Sequence, residues 1–257
     1  MESSPFVDLS EVAGLVVDGF RAAPAASVAA SLRGRLGLGA SGHLEPRSSH
    51  MAKPETPFDL ASVTKPIVAL TLARLVRRGK LALSERLGEV LPELEGTFAG
   101  GVPIELLASH RSGLAAHIEL FAPLRDGGSV VRNEAIRQAA ESRRPECEGP
   151  PPADGFPPVY SDMGYLLLGL ALEARGGEPL DRLVAREVTG PLGVADRIGS
   201  ARQMEERAGG FAEEVAPTED VAFRGGGLRG AGPDENALAL FGARLAGVAR
   251  PFAGAPS

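Results

Sequence analysis

Ser62-Val63-Thr64-Lys65 sets a hydroxyl and an amine three residues apart. At the start of a helix, that spacing puts both side chains on one face of the first turn. A serine hydroxyl is a poor nucleophile until a neighbouring base takes its proton. Lysine serves as that base where burial or a positive partial charge favours its neutral form. A helix N-terminus supplies such a field, and its unpaired amides can hold an oxyanion. The same four residues also read as a serine cap beside a lysine lying along apolar surface. Composition bears on the choice, because the chain has 24 arginines and only three lysines. Lysine is kept at position 65, where the side chain can deprotonate, and arginine cannot do that.

Tyr160-Ser161-Asp162 follows a proline-rich loop and precedes a run of leucines. A phenol beside a cation can act as a base. The alternative is a loop tyrosine, with Ser161 or Asp162 capping the following helix. His110 reads as a turn histidine satisfied by backbone, since no Gly-x-Ser-x-Gly elbow supplies a serine for a Ser-His-Asp triad. His43, His50 and His117 are not spaced as metal ligands, so neither a metal nor a cofactor is expected. Gly225-Gly-Gly and Gly230-Ala-Gly do not form a phosphate-binding glycine fingerprint.

These residues need elements to hold them. Apolar positions from Phe58 to Lys80 (Ile67, Val68, Leu70, Leu72, Leu75, Val76) predict a deeply buried helix. Pro66 is tolerated only in its first turn, which puts the start near Ser62, and Arg77-Arg-Gly-Lys80 reads as its end. Gly164 to Arg175 predicts a second buried helix, Leu180 to Val188 an amphipathic one, and Val130 to Ser142 a polar, exposed one. Short helices and turns are expected over 81–94 and 103–107, loop over 42–57 and 146–158, and a last helix over 235–246. Val12, Leu15, Val16 and Phe20 predict an N-terminal helix (Leu9 to Phe20) lying on a core. Two alternating runs about Arg33-Gly34-Arg35 predict a hairpin with Gly34 in its turn.

The totals exclude several classes. A length of 257 residues suffices for a real core. A net charge of −6 argues against nucleic acid and anionic membranes as partners. No apolar stretch approaches the length of a membrane span. Cys147 is the only cysteine, so no intrachain disulfide forms, and its acidic neighbours mark it as a spectator thiol. The 33 glycines and 21 prolines predict many turns and long loops. The first thirty residues hold no cationic start followed by an apolar run, so the default expectation is cytoplasmic. A longer natural N-terminus would point to the periplasm or to secretion.

Taken in order, several segments resemble one family. Phe58-Asp-Leu-Ala-Ser-Val-Thr-Lys-Pro resembles the active-site segment of the serine β-lactamase and penicillin-binding protein superfamily, in its class C-like esterase and carboxypeptidase branch. Gly79-Lys-Leu-Ala-Leu resembles the exit of its active-site helix, and Leu106-Leu-Ala-Ser-His-Arg-Ser-Gly-Leu resembles its "LL-x-H-x-SGL" segment. Tyr160-Ser-Asp resembles the Y-x-N element with Asp162 in the asparagine place, and Gly190-Pro-Leu-Gly resembles the "PLG" closing the helical region. Ala216-Pro-Thr-Glu and Asp234-Glu-Asn-Ala resemble a later segment.

The resemblance implies a single α/β domain over 1–257, with an antiparallel sheet flanked by helices plus a helical lobe. It implies that Ser62 is acylated, that Lys65 and Tyr160 move protons, and that Asp162 and Ser161 position Lys65 or substrate. The substrate would be a small or peptide-like ester, amide or β-lactam; oligomeric state is not implied. Pro233 and Val248 stand where the family carries histidines, and no K-T-G or H-x-G third motif occurs. The chain ends at Ser257 where the family continues with further strands, so an incomplete domain is expected. Two functions follow: an acyl-serine hydrolase, or a non-catalytic relative that binds ligands or depends on a partner.

Overall fold

The structure is a computed structural model that describes residues 6–45, 49–221, 226–230, 234–241 and 251–253. The chain divides into two compact units, each discontinuous in sequence: residues 1–59, 196–233 and 252–257 form one, and 60–195 and 234–251 the other.

The first unit carries the sheets. β1 (Phe6–Asp8), β2 (Ala25–Leu32) and β3 (Arg35–Gly42) form a sheet in the order β1-β3-β2. β2 and β3 are the predicted hairpin, antiparallel with Leu32 opposite Arg35. Arg33 and Gly34 both have positive φ (50° and 77°), the two-residue turn whose twist matches the strands. β1 runs parallel to β3, so the sheet is not wholly antiparallel as expected. β4 (Phe58–Asp59), β5 (Ile198–Ser200) and β8 (Pro251–Ala253) form a second sheet in the order β4-β8-β5. β6 (Asp220–Val221) and β7 (Gly226–Gly227) pair as a short ribbon. The short helices α9 (Ala201–Ala208) and α10 (Phe211–Glu214) complete this unit.

The predicted N-terminal helix forms as α1 (Ser10–Gly14) followed by a π-helical turn over Leu15–Gly19. Its predicted orientation is corrected. Val12, Leu15 and Phe20 are exposed, Phe20 by 79%, and Ala13 is the buried position. The cause lies in β3: a Cβ at Gly39 would come within 2.2 Å of the Leu9 backbone. Glycine there lets the helix start press its backbone against the sheet, which turns the apolar stripe outward.

The second unit is helical and contains the main apolar core. Its elements are α2 (Thr64–Arg77), α3 (Leu87–Val90), α4 (Ile104–Ala108), α5 (Ala122–Arg125), α6 (Arg132–Glu141), α7 (Asp162–Gly176), α8 (Leu180–Val184) and α11 (Glu235–Phe241). Residues 242–246 of the predicted last helix, Pro233 and Val248 lie outside the described residues. Every residue of α7 from Met163 to Leu172 is buried, as a helix apolar all round requires. α2 is buried along one side only: Val68, Leu72 and Leu75 are in the core, but Leu70 is exposed. α6 also buries one face, through Ala135, Ile136, Ala139 and Ala140, where exposure was expected.

Helix ends follow the local chemistry. Gly79 adopts φ 65° after α2, and the Gly79 and Lys80 amides donate to the Val76 and Leu75 carbonyls. Glu187, with a fully buried side chain in the turn after α8, lies 3.1 Å from Arg78 and 3.0 Å from Arg186. That ion pairing fastens the far end of α2 to the α8 region, an interaction that nothing in the sequence pattern announced.

Candidate active site

Ser62 sits in a 3₁₀ turn (Ala61–Val63) leading directly into α2, and it is exposed. Ala61, just before it, has φ 43°, a left-handed conformation that alanine adopts only under constraint. The Thr64 hydroxyl donates to the Ala61 carbonyl, tying the turn to the helix. Lys65 and Pro66 occupy the first turn of α2, as the spacing predicted.

Lys65 is 4% exposed. Its Nζ donates to Ser62 Oγ at 3.0 Å and to Asp162 Oδ1 at 2.8 Å. The same Nζ lies 4.6 Å from the Tyr160 ring centroid and 5.7 Å from that of Tyr165. The amine is therefore held among a hydroxyl, a carboxylate and two aromatic faces. Tyr160 is 52% exposed, and among the described residues its hydroxyl has no hydrogen-bond partner. Its contact with Lys65 is through the ring face.

The cap expected in one of the two readings of this segment is found at Ser161. It is the N-cap of α7, accepting from the Gly164 amide at 3.1 Å and donating to the Ala115 carbonyl at 2.6 Å. It is 1% exposed. Its hydroxyl is thus committed to protein, and it positions Tyr160 and Asp162 on either side of it. The cap also explains why α7 begins at Asp162, two residues before its predicted start.

The segment Leu106–Ala116 frames these residues. Val159 and Phe156 donate to the carbonyls of His110 and Arg111, and Asp162 donates to that of Ala116. His110 Nδ1 accepts the Ser161 amide at 3.0 Å, which is the backbone-satisfied histidine expected. Its ring also packs at 4.7 Å from Tyr160 and 5.0 Å from Tyr165, a role that sequence reasoning missed. Tyr165 donates to the Ala108 carbonyl, and burial, then Tyr160, pushes its phenol above the usual value. Of the two tyrosines, Tyr165 is thereby the structural one. His117 is the other miss, with Nδ1 3.6 Å from Asp162 Oδ2. Forty-five positions separate the pair, and no local spacing signals it.

His110 is held below its ordinary value of 6.5, chiefly by burial and then by the Lys65 charge, with Asp162 opposing. Protonating Nδ1 would also evict the Ser161 amide. The unfolded chain therefore binds this proton more readily than the native one. The stability that His110 contributes is full above pH 6.5 and is lost as pH falls toward the folded value. Urea unfolding at a series of pH values should show this decline, and His110→Asn, which keeps an acceptor without titrating, should flatten that part of the profile. An equal decline in the variant would assign the effect to other groups.

Among the described residues, no three or more His, Cys, Asp or Glu side chains converge as a metal site. Nor is any described helix long and apolar enough to cross a membrane.

The family model described as Beta-lactamase matches residues 15–241. The esterase EstB of Burkholderia gladioli is 34% identical over 172 residues, 61% of this chain and 42% of that protein. An N-acetylmuramyl-L-alanine amidase of Bacillus subtilis is 31% identical over 182 residues, 65% of this chain and 39% of that one. The chain thus spans about two fifths of the length of these curated relatives. Among solved structures, a class C beta lactamase from Rhodobacter sphaeroides superposes with a TM-score of 0.67 at 19% identity. That likeness covers 95% of this chain and 61% of the other, and it identifies the β-lactamase fold of mixed helices and sheet. The S-x-x-K turn, the capped Tyr-Ser-Asp and the matched span lead to one assignment: the chain belongs to the Beta-lactamase family.

Proposed function

We propose that this chain carries the nucleophile and proton-transfer groups of an acyl-serine hydrolase. The observation behind this reading is the contact of 3.0 Å between the buried Lys65 amine and the exposed Ser62 hydroxyl. When Lys65 is neutral, its lone pair accepts the Ser62 proton as Oγ attacks the acyl carbon. The tetrahedral intermediate then collapses, and the leaving alcohol or amine receives a proton from Lys65 or from the open Tyr160 phenol. Water attacks the acyl-enzyme in the second half, losing its proton to the same groups and freeing Ser62. Asp162 holds Lys65 in line, and Ser161 and His110 hold Asp162 and Tyr160.

The substrate class is a small or peptide-like acyl compound: an ester, an amide or a β-lactam. The names of the relatives support each of these in turn, an esterase, an amidase and a β-lactamase. Intact-mass spectrometry of the chain after exposure to a fluorophosphonate, and separately to a penicillin, tests the reading. A stoichiometric adduct on the parent chain, absent from Ser62→Ala, is expected with the fluorophosphonate. The penicillin arm separates β-lactam recognition from ester and amide chemistry. Folded protein that takes up no fluorophosphonate would instead make this a non-catalytic relative.

A further inference from the structure

Asp162 faces two bases with its two oxygens. Oδ1 is 2.8 Å from the buried Lys65 amine, and Oδ2 is 3.6 Å from Nδ1 of the half-exposed His117. The second distance is that of an ion pair rather than a hydrogen bond. It connects a buried side chain with a half-exposed one. A carboxylate at position 162 makes the connection electrostatic, which an amide there would not.

We propose that His117 is a positioning residue whose charge acts on Lys65 through Asp162, so that a cation at position 117 raises the share of Lys65 present as the neutral amine that can take the Ser62 proton. This rests on the acyl-enzyme reading above. With His117 neutral, Lys65 faces the whole negative charge of Asp162, which favours the ammonium form. With His117 protonated, that charge is shared and a second cation stands nearby, and both effects favour the neutral amine. Among the described residues, Tyr160, Tyr165 and His110 flank Lys65, and burial and the Lys65 charge hold the proton affinity of His110 below its ordinary value. Glu119, on the same segment as His117, is taken up by a two-pronged contact with Arg125.

The test is the second-order rate constant for fluorophosphonate labelling of Ser62, read by intact mass from about pH 5 to about pH 9, across the range in which imidazoles titrate. His117→Gln removes the charge with little change of size, and His117→Arg makes the charge permanent. The ratio of parent to His117→Gln should rise about three- to tenfold from the alkaline end to the acid end, as for a surface-screened ion pair. His117→Arg should carry the parental acid-side advantage into the alkaline range. A merely structural role would lower the rate by one factor at every pH, and that flat ratio, with the parent labelled, would overturn this inference alone. A parent chain unlabelled at any pH would overturn the acyl-enzyme reading and this inference with it.

Discussion

Lys65→Arg is expected to slow fluorophosphonate labelling of Ser62 by about 10²–10⁴, the usual contribution of a positioned general base. Arginine keeps the positive charge and can still meet Asp162, so the ion pair between α2 and α7 survives. What it loses is the neutral form, since a guanidinium is not deprotonated in proteins. A companion Lys65→Met separates charge from proton transfer. It fills similar volume but leaves Asp162 without its partner, so it should lose thermal stability as well as rate. If Lys65→Arg labels within tenfold of the parent while melting at a similar temperature, Lys65 is a structural cation and some other group takes the Ser62 proton.

Much of this site is legible in the sequence because its parts are local. Serine and lysine at i and i+3, with proline at the next position, force a helix start, and that start is observed. Ser161 three residues before Gly164 is a cap signal of the same kind. What stays hidden is whatever depends on distant segments meeting. His117 carries no mark of its approach to Asp162, and Glu187 none of its burial beside Arg78 and Arg186. The outward turn of the N-terminal apolar stripe is hidden for a related reason. Periodicity finds the stripe, but which face presses on the sheet is decided by Gly39 on another strand.

The His110-to-Leu114 stretch lies between these cases, and Gly113→Ala tests how it works. Gly113 has φ 82°, where a side chain costs about 1–2 kcal/mol. A Cβ there would also come within 2.6 Å of the Phe156 ring and 3.2 Å of the Cys147 Cβ. Overpacking adds about 1–3 kcal/mol, for a total of about 2–5 kcal/mol, or about 4–20 °C in Tm. Gly96→Ala is the control, with a similar φ of 79° and nothing within 4 Å of its new Cβ. It should lose only the backbone part. Cys147, the single cysteine and 1% exposed, reports local opening directly. Thiol labelling through that opening should quicken about thirtyfold or more in Gly113→Ala and far less in Gly96→Ala. Unchanged labelling would mean that Phe156 and Cys147 yield freely and that the glycine is there for another reason. The consequence for the site follows from the backbone, because the Gly113 carbonyl accepts the Arg144 amide three residues from His110. Displacing it moves the histidine that holds Ser161, and so the cap that sets Tyr160 and Asp162 against Lys65.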